Sequence, residues 1–316
     1  MENDKQLQAQ ADALRPWRYN HQHNGVTIIG DPNAASPADQ YAKRLMKEIT
    51  HCLFEGLPIH DMRAVDLGCL EGHYSDILCE AGFKEVVSID LSEGHVERAR
   101  FLLQQLKQHS NSRVLHGNVS DEPFMKSLGT FNLVLFHGLL YHLKDPLKLF
   151  DVLEALAPPH SPSFLLLSTQ YRCTFNTLVS PAPMAEMQIK PLQQVHKDSP
   201  TVLTSPSDGS AFERCSFILN PAAVHKTLQL YGYRNLIAYD DPSGHSYSYH
   251  SNLIASKTTD SGLLGHLSKK IQIPGVRFYQ WDGRSVSSYH FEREWRAKTT
   301  WLATRFARKI GGILRG

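Results

Sequence analysis

The 316-residue chain can hold one large domain or one domain with additions. Hydrophobic residues make up 41% and charged residues 20%, which is ordinary for a soluble protein, and the formal net charge of +2 favours no class of partner. Five cysteines without a C-x-x-C pair argue for reduced thiols and against a disulfide framework or a zinc site. No apolar run approaches the roughly 20 residues of a membrane span, and the polar start lacks the apolar core of a signal peptide, so we expect a cytoplasmic protein.

Residues 1–60 are predicted to form an N-terminal arm and a helix. A short helix over 7–14 should stop before Pro16, and a serine cap followed by proline at 36–37 predicts a second helix to about residue 52. Between them, Trp17 and Tyr19 either pack the arm onto the domain or cover a cofactor or acceptor. His21 and His23 have no third ligand at metal-binding spacing, so no metal is expected.

A glycine-rich turn follows an apolar run over residues 64–75. Asp66, Gly68 and Gly72 give the pattern D-x-G-x-x-x-G. Glycines let the backbone approach a ligand closely, and the start of the next helix offers free N–H groups. The turn has neither the Gly-Lys-Ser/Thr of a phosphate loop nor the G-x-G-x-x-G of dinucleotide sites. It nevertheless predicts a nucleotide-type site.

Further strand and helix signals alternate after this turn. A strand over 86–90 ends in Asp90, which could accept both ribose hydroxyls of a nucleoside. Strands over 113–119 and 131–138 follow, separated by helices predicted over 93–107 and from Asp121. A helix over 146–156, with Asp145 as its cap, precedes an apolar run over 163–168 that suits a parallel strand buried on both faces.

Four of these motifs, in this order and spacing, resemble those of class I S-adenosylmethionine-dependent methyltransferases over about residues 60–257. They are the glycine-rich turn and the strands over 86–90, 113–119 and 131–138. The resemblance implies an α/β fold: a Rossmann-like sheet of seven strands in the order 3-2-1-4-5-7-6, with helices on both faces and an antiparallel last strand. It implies S-adenosylmethionine as the cofactor. The implied cofactor-binding residues are Asp66, Gly68, Cys69, Gly72, Asp90, Leu91, Asn118, Val119, His137 and Gly138.

The acceptor is expected beyond the fourth strand of this sheet. A sulfonium methyl group is already electrophilic, so the enzyme mainly aligns the reactants and excludes water. An oxygen acceptor would also need a base, and His142 either supplies it or only fixes the turn. Tyr141 is the second catalytic candidate. The candidate substrate-binding residues are Trp17, Tyr19, Tyr141 and Tyr171.

The predicted division is an arm and helix over 1–60, a methyltransferase domain over 61–257 and a basic extension over 258–316. Five prolines in 171–215 predict an irregular cap inserted into the domain. The extension carries 11 Lys/Arg against four Asp/Glu, which gives it a formal charge of +7. The formal charge of residues 1–257 is therefore −5. Apolar residues share one face of a predicted helix over 291–313, which could pack on this or another subunit, lie on an anionic membrane or bind RNA.

Residues 138–142 also resemble the G-V-L-Y-H segment of enzymes that carboxymethylate the tRNA wobble uridine, and residues 16–18 resemble their segment before the core. Leu143 stands where those enzymes have arginine, which argues against their carboxylated cofactor and tRNA substrate. The leading hypothesis is therefore methylation of a small-molecule acceptor, on oxygen, under the arm and cap. The alternatives are tRNA modification and a binding protein that has lost turnover, against which the intact Asp66 and Asp90 argue.

Overall fold

The computed structural model describes residues 2–31, 37–143, 145–157, 163–170, 202–204, 211–213, 221–239, 250–258 and 262–281. Tyr171, most of the predicted cap and the predicted helix over 291–313 lie outside these residues. The helices are α1 (Glu2–Ala13), α2 (Pro37–Leu53), α3 (His73–Glu80), α4 (Glu93–Arg100), α5 (Glu122–Ser127), α6 (Lys148–Leu156), α7 (Pro221–Leu230) and α8 (Leu263–Lys270). No helix in the described part of the chain is both long and apolar enough to cross a membrane.

The strands form one large sheet and two small hairpins. They are β1 (His21–His23), β2 (Val26–Ile28), β3 (Arg63–Leu67), β4 (Glu85–Asp90), β5 (Ser112–His116), β6 (Leu133–His137), β7 (Phe164–Gln170), β8 (Val202–Thr204), β9 (Ala211–Glu213), β10 (Asn235–Tyr239), β11 (His250–Ser256) and β12 (Phe278–Gln280). β1 pairs with β2, and β8 with β9. The β8–β9 hairpin is the only described part of the predicted cap.

The large sheet has the order β12-β10-β11-β7-β6-β3-β4-β5. Strands β5, β4, β3, β6 and β7 are parallel, and β11 is antiparallel to β7. The predicted order 3-2-1-4-5-7-6 is confirmed, but the predicted number of seven strands is wrong, because β12 adds an eighth beside β10. This strand follows residue 257, and the Trp281 N–H fixes its end by donating to the Leu236 carbonyl at 2.7 Å. The sequence did not predict this strand, because three residues are too few to show the alternation of apolar and polar side chains that marks a strand.

Both faces of the sheet are buried. Val65 and Leu67 of β3 belong to an apolar cluster with α5, α6 and α7, whereas Ala64 belongs to a second cluster with α2, α3 and α8. This alternation follows from the two-residue period of a strand. Each fully buried aliphatic side chain contributes about 1.5–3 kcal/mol, so the two clusters make the strand ends a rigid support for a site.

The N-terminal arm packs against a π-helical turn, Phe101–Leu106, that continues α4. Trp17 is buried with α1, with the β1–β2 hairpin and with this turn. The sequence predicts one regular helix over 93–107. The structure differs because Phe101, Leu102 and Leu103 are all buried, the first two under the arm and the third against the sheet side.

Candidate active site

Three of the predicted site residues, Asp66, Asp90 and His137, lie at one edge of the sheet. The parallel strands β3, β4, β5 and β6 all end at this edge. After β3 the chain forms β4 and β5 on one side of it and then β6 on the other side. Ligands of doubly wound sheets bind at such a switch point. Asp66, Asp90 and His137 therefore lie at the place where function is expected.

Hydrogen bonds connect the glycine-rich loop to the end of β4. The N–H groups of Gly68 and Cys69 donate to the Ile89 carbonyl at 2.8 and 2.9 Å, and the Leu70 N–H donates to Asp90 Oδ2 at 2.9 Å. A Cβ atom at Gly72 would lie 3.1 Å from Leu103 Cδ1, so glycine there allows α3 to begin close to the π-helical turn. The loop and the Asp90 carboxylate thus form one rigid unit.

Asp90 already holds three partners of the protein itself. Its Oδ1 accepts from the Ser92 N–H at 2.8 Å and lies 3.2 Å from His95 Nδ1, and its Oδ2 accepts from Leu70. A carboxylate offers about four acceptor positions, so about one is left for a ligand. To accept hydrogen bonds from both ribose hydroxyls, Asp90 would therefore have to share one of its occupied acceptor positions between a hydroxyl and one of these three partners.

Asp66 lies beneath the loop in a chain of hydroxyl groups. Ser75 Oγ donates to Asp66 Oδ2 at 2.6 Å, and Ser88 Oγ donates to Ser75 Oγ at 2.8 Å. Burial is the main cause that raises the pKa of Asp66 to about 7; the Ser75 hydrogen bond opposes this rise, and the negative charge of Asp90 contributes to it. A cation bound nearby would favour the ionised carboxylate.

Glu71 connects the loop to the N-terminal arm. Its side chain is only 1% exposed and accepts hydrogen bonds from the backbone N–H groups of Arg18 at 2.8 Å and Tyr19 at 2.6 Å. His21 Nε2 lies 3.5 Å and Arg98 Nε 4.0 Å from the same carboxylate. Our sequence reasoning did not select Glu71. The sequence feature that could have identified it is an acidic residue between Leu70 and Gly72, inside a loop that is expected to approach a ligand.

A row of rings leads from the arm to the end of β6. Tyr19 stacks on His73 with ring centroids 4.1 Å apart, His73 meets Tyr74 at 5.2 Å, and Tyr74 meets His137 at 4.5 Å. Burial holds the pKa of His73 well below its usual value, so this imidazole is neutral. Trp17 lies elsewhere, 3% exposed within the arm, where its indole N–H donates to the Ala11 carbonyl at 2.8 Å.

The segment after β6 covers the loop from the other side. A Cβ atom at Gly68 would lie 3.0 Å from the Leu139 side chain, so Leu139 forms an apolar wall above this glycine. The 3-10 turn Leu140–His142 follows, and the partly exposed His142 donates its backbone N–H to the Leu139 carbonyl at 2.8 Å. Gly138 has a positive φ of 75° at the bend. The Tyr141 side chain is outside the described part of the structure.

The remaining predicted cofactor residues surround the end of β5. The Leu91 carbonyl lies 2.9 Å from His116 Nε2, and Asn118 Oδ1 accepts from the Ser120 N–H at 2.8 Å. Val119 is buried in the main cluster, so its side chain serves packing. Cys69 is buried, and burial raises the pKa of its thiol well above the usual value. In the described ranges no three His, Cys, Asp or Glu side chains come together as metal ligands.

Comparisons with known proteins agree with this arrangement. The family model described as "Methyltransferase domain" matches residues 38–236. The tRNA U34 carboxymethyltransferase of Cellvibrio japonicus is 26% identical over 156 residues, covering 49% of this chain and 44% of that protein. The protein of that name from Helicobacter pylori (strain G27) is 28% identical over 153 residues, covering 48% and 53%. The chain spans about half the length of the curated relatives it matches.

A solved structure shows the same fold. The N-terminal domain of EvdMO1, crystallised with SAH bound, is 19% identical and superposes with a TM-score of 0.57, covering 80% of this chain and 95% of that one. The predicted Rossmann-like architecture is thereby confirmed. With a family match across more than half of its length, the chain belongs to the methyltransferase domain family.

Proposed function

We propose that the chain transfers a methyl group from S-adenosylmethionine to an oxygen atom of a small-molecule acceptor. The observation that carries this proposal is the unit formed by the glycine-rich loop and Asp90 at the switch point of the sheet. When bound, S-adenosylmethionine supplies an electrophilic methyl group on its sulfonium.

The residues at the sheet edge fit this cofactor. Asp90 has about one acceptor position left for a ribose hydroxyl, and the loop holds the carboxylate in place before the ligand arrives. Asp66 titrates near neutral pH, so a cationic ligand can draw it into the ionised form at little cost. Gly68 lacks a side chain and has a φ of +74°, so its backbone can approach the amino-acid end of the cofactor closely beside Leu139.

The contacts of the N-terminal arm favour a small-molecule acceptor. Glu71 holds Tyr19 against the loop, and the row of Tyr19, His73, Tyr74 and His137 extends from there to the end of β6. Aromatic and apolar walls with a few polar groups are typical of small-molecule sites. His142 follows this wall, is partly exposed, and is our candidate base for removing the acceptor proton.

Modification of tRNA is the second candidate, and the similarity to two tRNA U34 carboxymethyltransferases over about half of the chain favours it. Under this alternative the basic residues 258–316 would contact phosphates, so tRNA binding should weaken steeply with added salt. Leu143 in place of arginine remains the argument against it.

One experiment tests both candidates. Calorimetry should first show that the purified chain binds S-adenosylmethionine and S-adenosylhomocysteine. The protein is then incubated with isotopically labelled donor and either pooled metabolites or total tRNA, and the products are analysed by mass spectrometry. We expect label in a small metabolite as an O-methyl group. Label in tRNA alone would favour the alternative, and absence of donor binding would refute the proposal.

A further inference from the structure

Asp76 on α3 is a fully buried carboxylate surrounded by three basic side chains. Its Oδ2 accepts from Lys43 Nζ at 2.9 Å and lies 3.6 Å from Lys107 Nζ, and its Oδ1 lies 2.8 Å from His109 Nε2. Burial by itself would raise the pKa of Asp76, but the charge of Lys43 and the hydrogen bond with His109 lower it well below its usual value. The carboxylate is therefore ionised, and His109 Nε2 donates to it.

The cluster carries more positive charge than this carboxylate can balance. Lys43 and Lys107 are both cations, and in the described part of the chain Asp76 is the only acid that pairs with either ammonium group. Both groups contact the same oxygen, so they are neighbours and repel each other. Their side chains are only 30% and 15% exposed, so salt and water screen this repulsion less than they would on an open surface.

Several hydrogen-bond donors of these lysines have no protein partner. An ammonium group has three N–H donors. Lys43 uses one of them on Asp76, and Lys107 lies too far from the carboxylate for a hydrogen bond; neither ammonium group makes a further one within the described residues. A compact anion with several oxygen atoms would accept from these donors and offset the excess charge.

The excess of positive charge is confined to one place between α2 and α3. One turn further along both helices, Lys47 pairs with Glu80 at 3.0 Å, so the charges there cancel. A nucleic acid presents a row of phosphates, and proteins that bind it spread their cations over several of them. Two lysines beside a neutralised pair fit one phosphate group better than a polyanion.

We propose that Lys43, Lys107 and His109 bind the phosphate group of a small molecule, and that Asp76 holds the three side chains in position. Lys43 lies on α2, whereas Lys107 and His109 follow the π-helical turn, so the packed elements form the site before the ligand arrives. This inference goes beyond the proposed function, since it requires no cofactor.

Lys107→Gln is the decisive variant, because the ammonium group of Lys107 makes no hydrogen bond in the described part of the protein. Wild type in about 10 mM inorganic phosphate should melt about 2–4 °C above the same protein in sodium chloride of equal ionic strength, which corresponds to a Kd on the order of 1 mM. Phosphorus NMR titration should show that Lys107→Gln binds phosphate about tenfold more weakly. Without phosphate, the variant should melt no lower than the wild type, because it loses a repulsion and no hydrogen bond.

Two matched variants serve as controls. Lys107→Arg keeps the charge and should restore phosphate binding. Lys47→Gln removes a lysine of α2 that already has an acidic partner, so phosphate binding should match the wild type.

Each outcome decides the matter. A phosphate effect of equal size in wild type and Lys107→Gln would be a general salt effect and would overturn the site, as would no effect in the wild type. If Lys107→Gln melts well below the wild type without phosphate, the lysine balances Asp76 and does not await an anion, which refutes the site. Binding of tRNA that depends on Lys107, without binding of inorganic phosphate, would refute the small-molecule assignment. Phosphate binding by a protein that binds no S-adenosylmethionine would overturn the proposed function and support this inference.

Discussion

Replacing Glu71 tests whether the loop holds the arm. Glu71→Ala removes the acceptor of two backbone N–H groups, that of Tyr19, which is buried, and that of Arg18, which is partly buried. A buried donor left without a partner costs about 1–3 kcal/mol, so two donors should cost about 2–6 kcal/mol. Removing the carboxylate also removes the cost of burying its charge, which partly offsets this loss. We therefore expect the free energy of unfolding to fall by an amount in the lower half of the range.

Glu71→Gln provides a graded comparison, because its amide keeps one acceptor oxygen and should lose about half as much. Glu80→Gln is the control on α3. Its ion pair with Lys47 is exposed, and such pairs contribute about 0–1 kcal/mol. Urea unfolding followed by circular dichroism should rank the three variants in the order Glu71→Ala, Glu71→Gln, Glu80→Gln by loss of stability.

Local opening of the arm would escape a measurement of global unfolding, so hydrogen exchange of a peptide covering residues 16–22 is the second measurement. We expect its exchange to speed up in Glu71→Ala and not in Glu80→Gln. If unfolding free energy and exchange of this peptide both match the wild type, Glu71 does not hold the arm and the reasoning is refuted.

Three further predictions concern the cofactor and the base. Asp90→Asn should weaken S-adenosylmethionine binding about 10- to 100-fold in calorimetry, since a charge-assisted bond is lost; unchanged affinity would reject its role. Below the Asp66 pKa of about 7 this carboxyl is mostly protonated, so binding of the cationic cofactor should release a proton and affinity should rise as pH increases through 7. Calorimetry at pH 6 in buffers of different ionisation enthalpy measures that proton, and Asp66→Asn should abolish it. His142→Ala should lower the methyl-transfer rate about 10²- to 10⁴-fold with unchanged cofactor affinity, whereas a rate near wild type would leave His142 a structural role.

The candidate site shows why sequence reasoning found some groups and not others. Asp66, Gly68 and Asp90 could be selected because each stands at or directly after the end of an apolar run, where a parallel strand must stop, and Gly72 because it breaks the chain before the next helix. Glu71 could not, since its partners are the amides of residues 18 and 19, about 50 positions away, and their approach depends on how the arm packs. The sequence likewise left Trp17 as either lid or packing residue, and the structure buries it within the arm.

The sequence by itself determined the α/β class, because the apolar periods and the strand-end glycines and acids are local signals. The order of seven strands of the large sheet came from the resemblance of its motifs to those of class I methyltransferases. Only the tertiary structure decided the eighth strand, the π-helical turn under the arm and the number of partners that Asp90 already holds. The eighth strand depends on pairing with β10, and the turn is covered by the N-terminal arm; both are contacts between segments far apart in the chain. Such contacts form only when the packed elements bring the segments together, so no local pattern of residues records them.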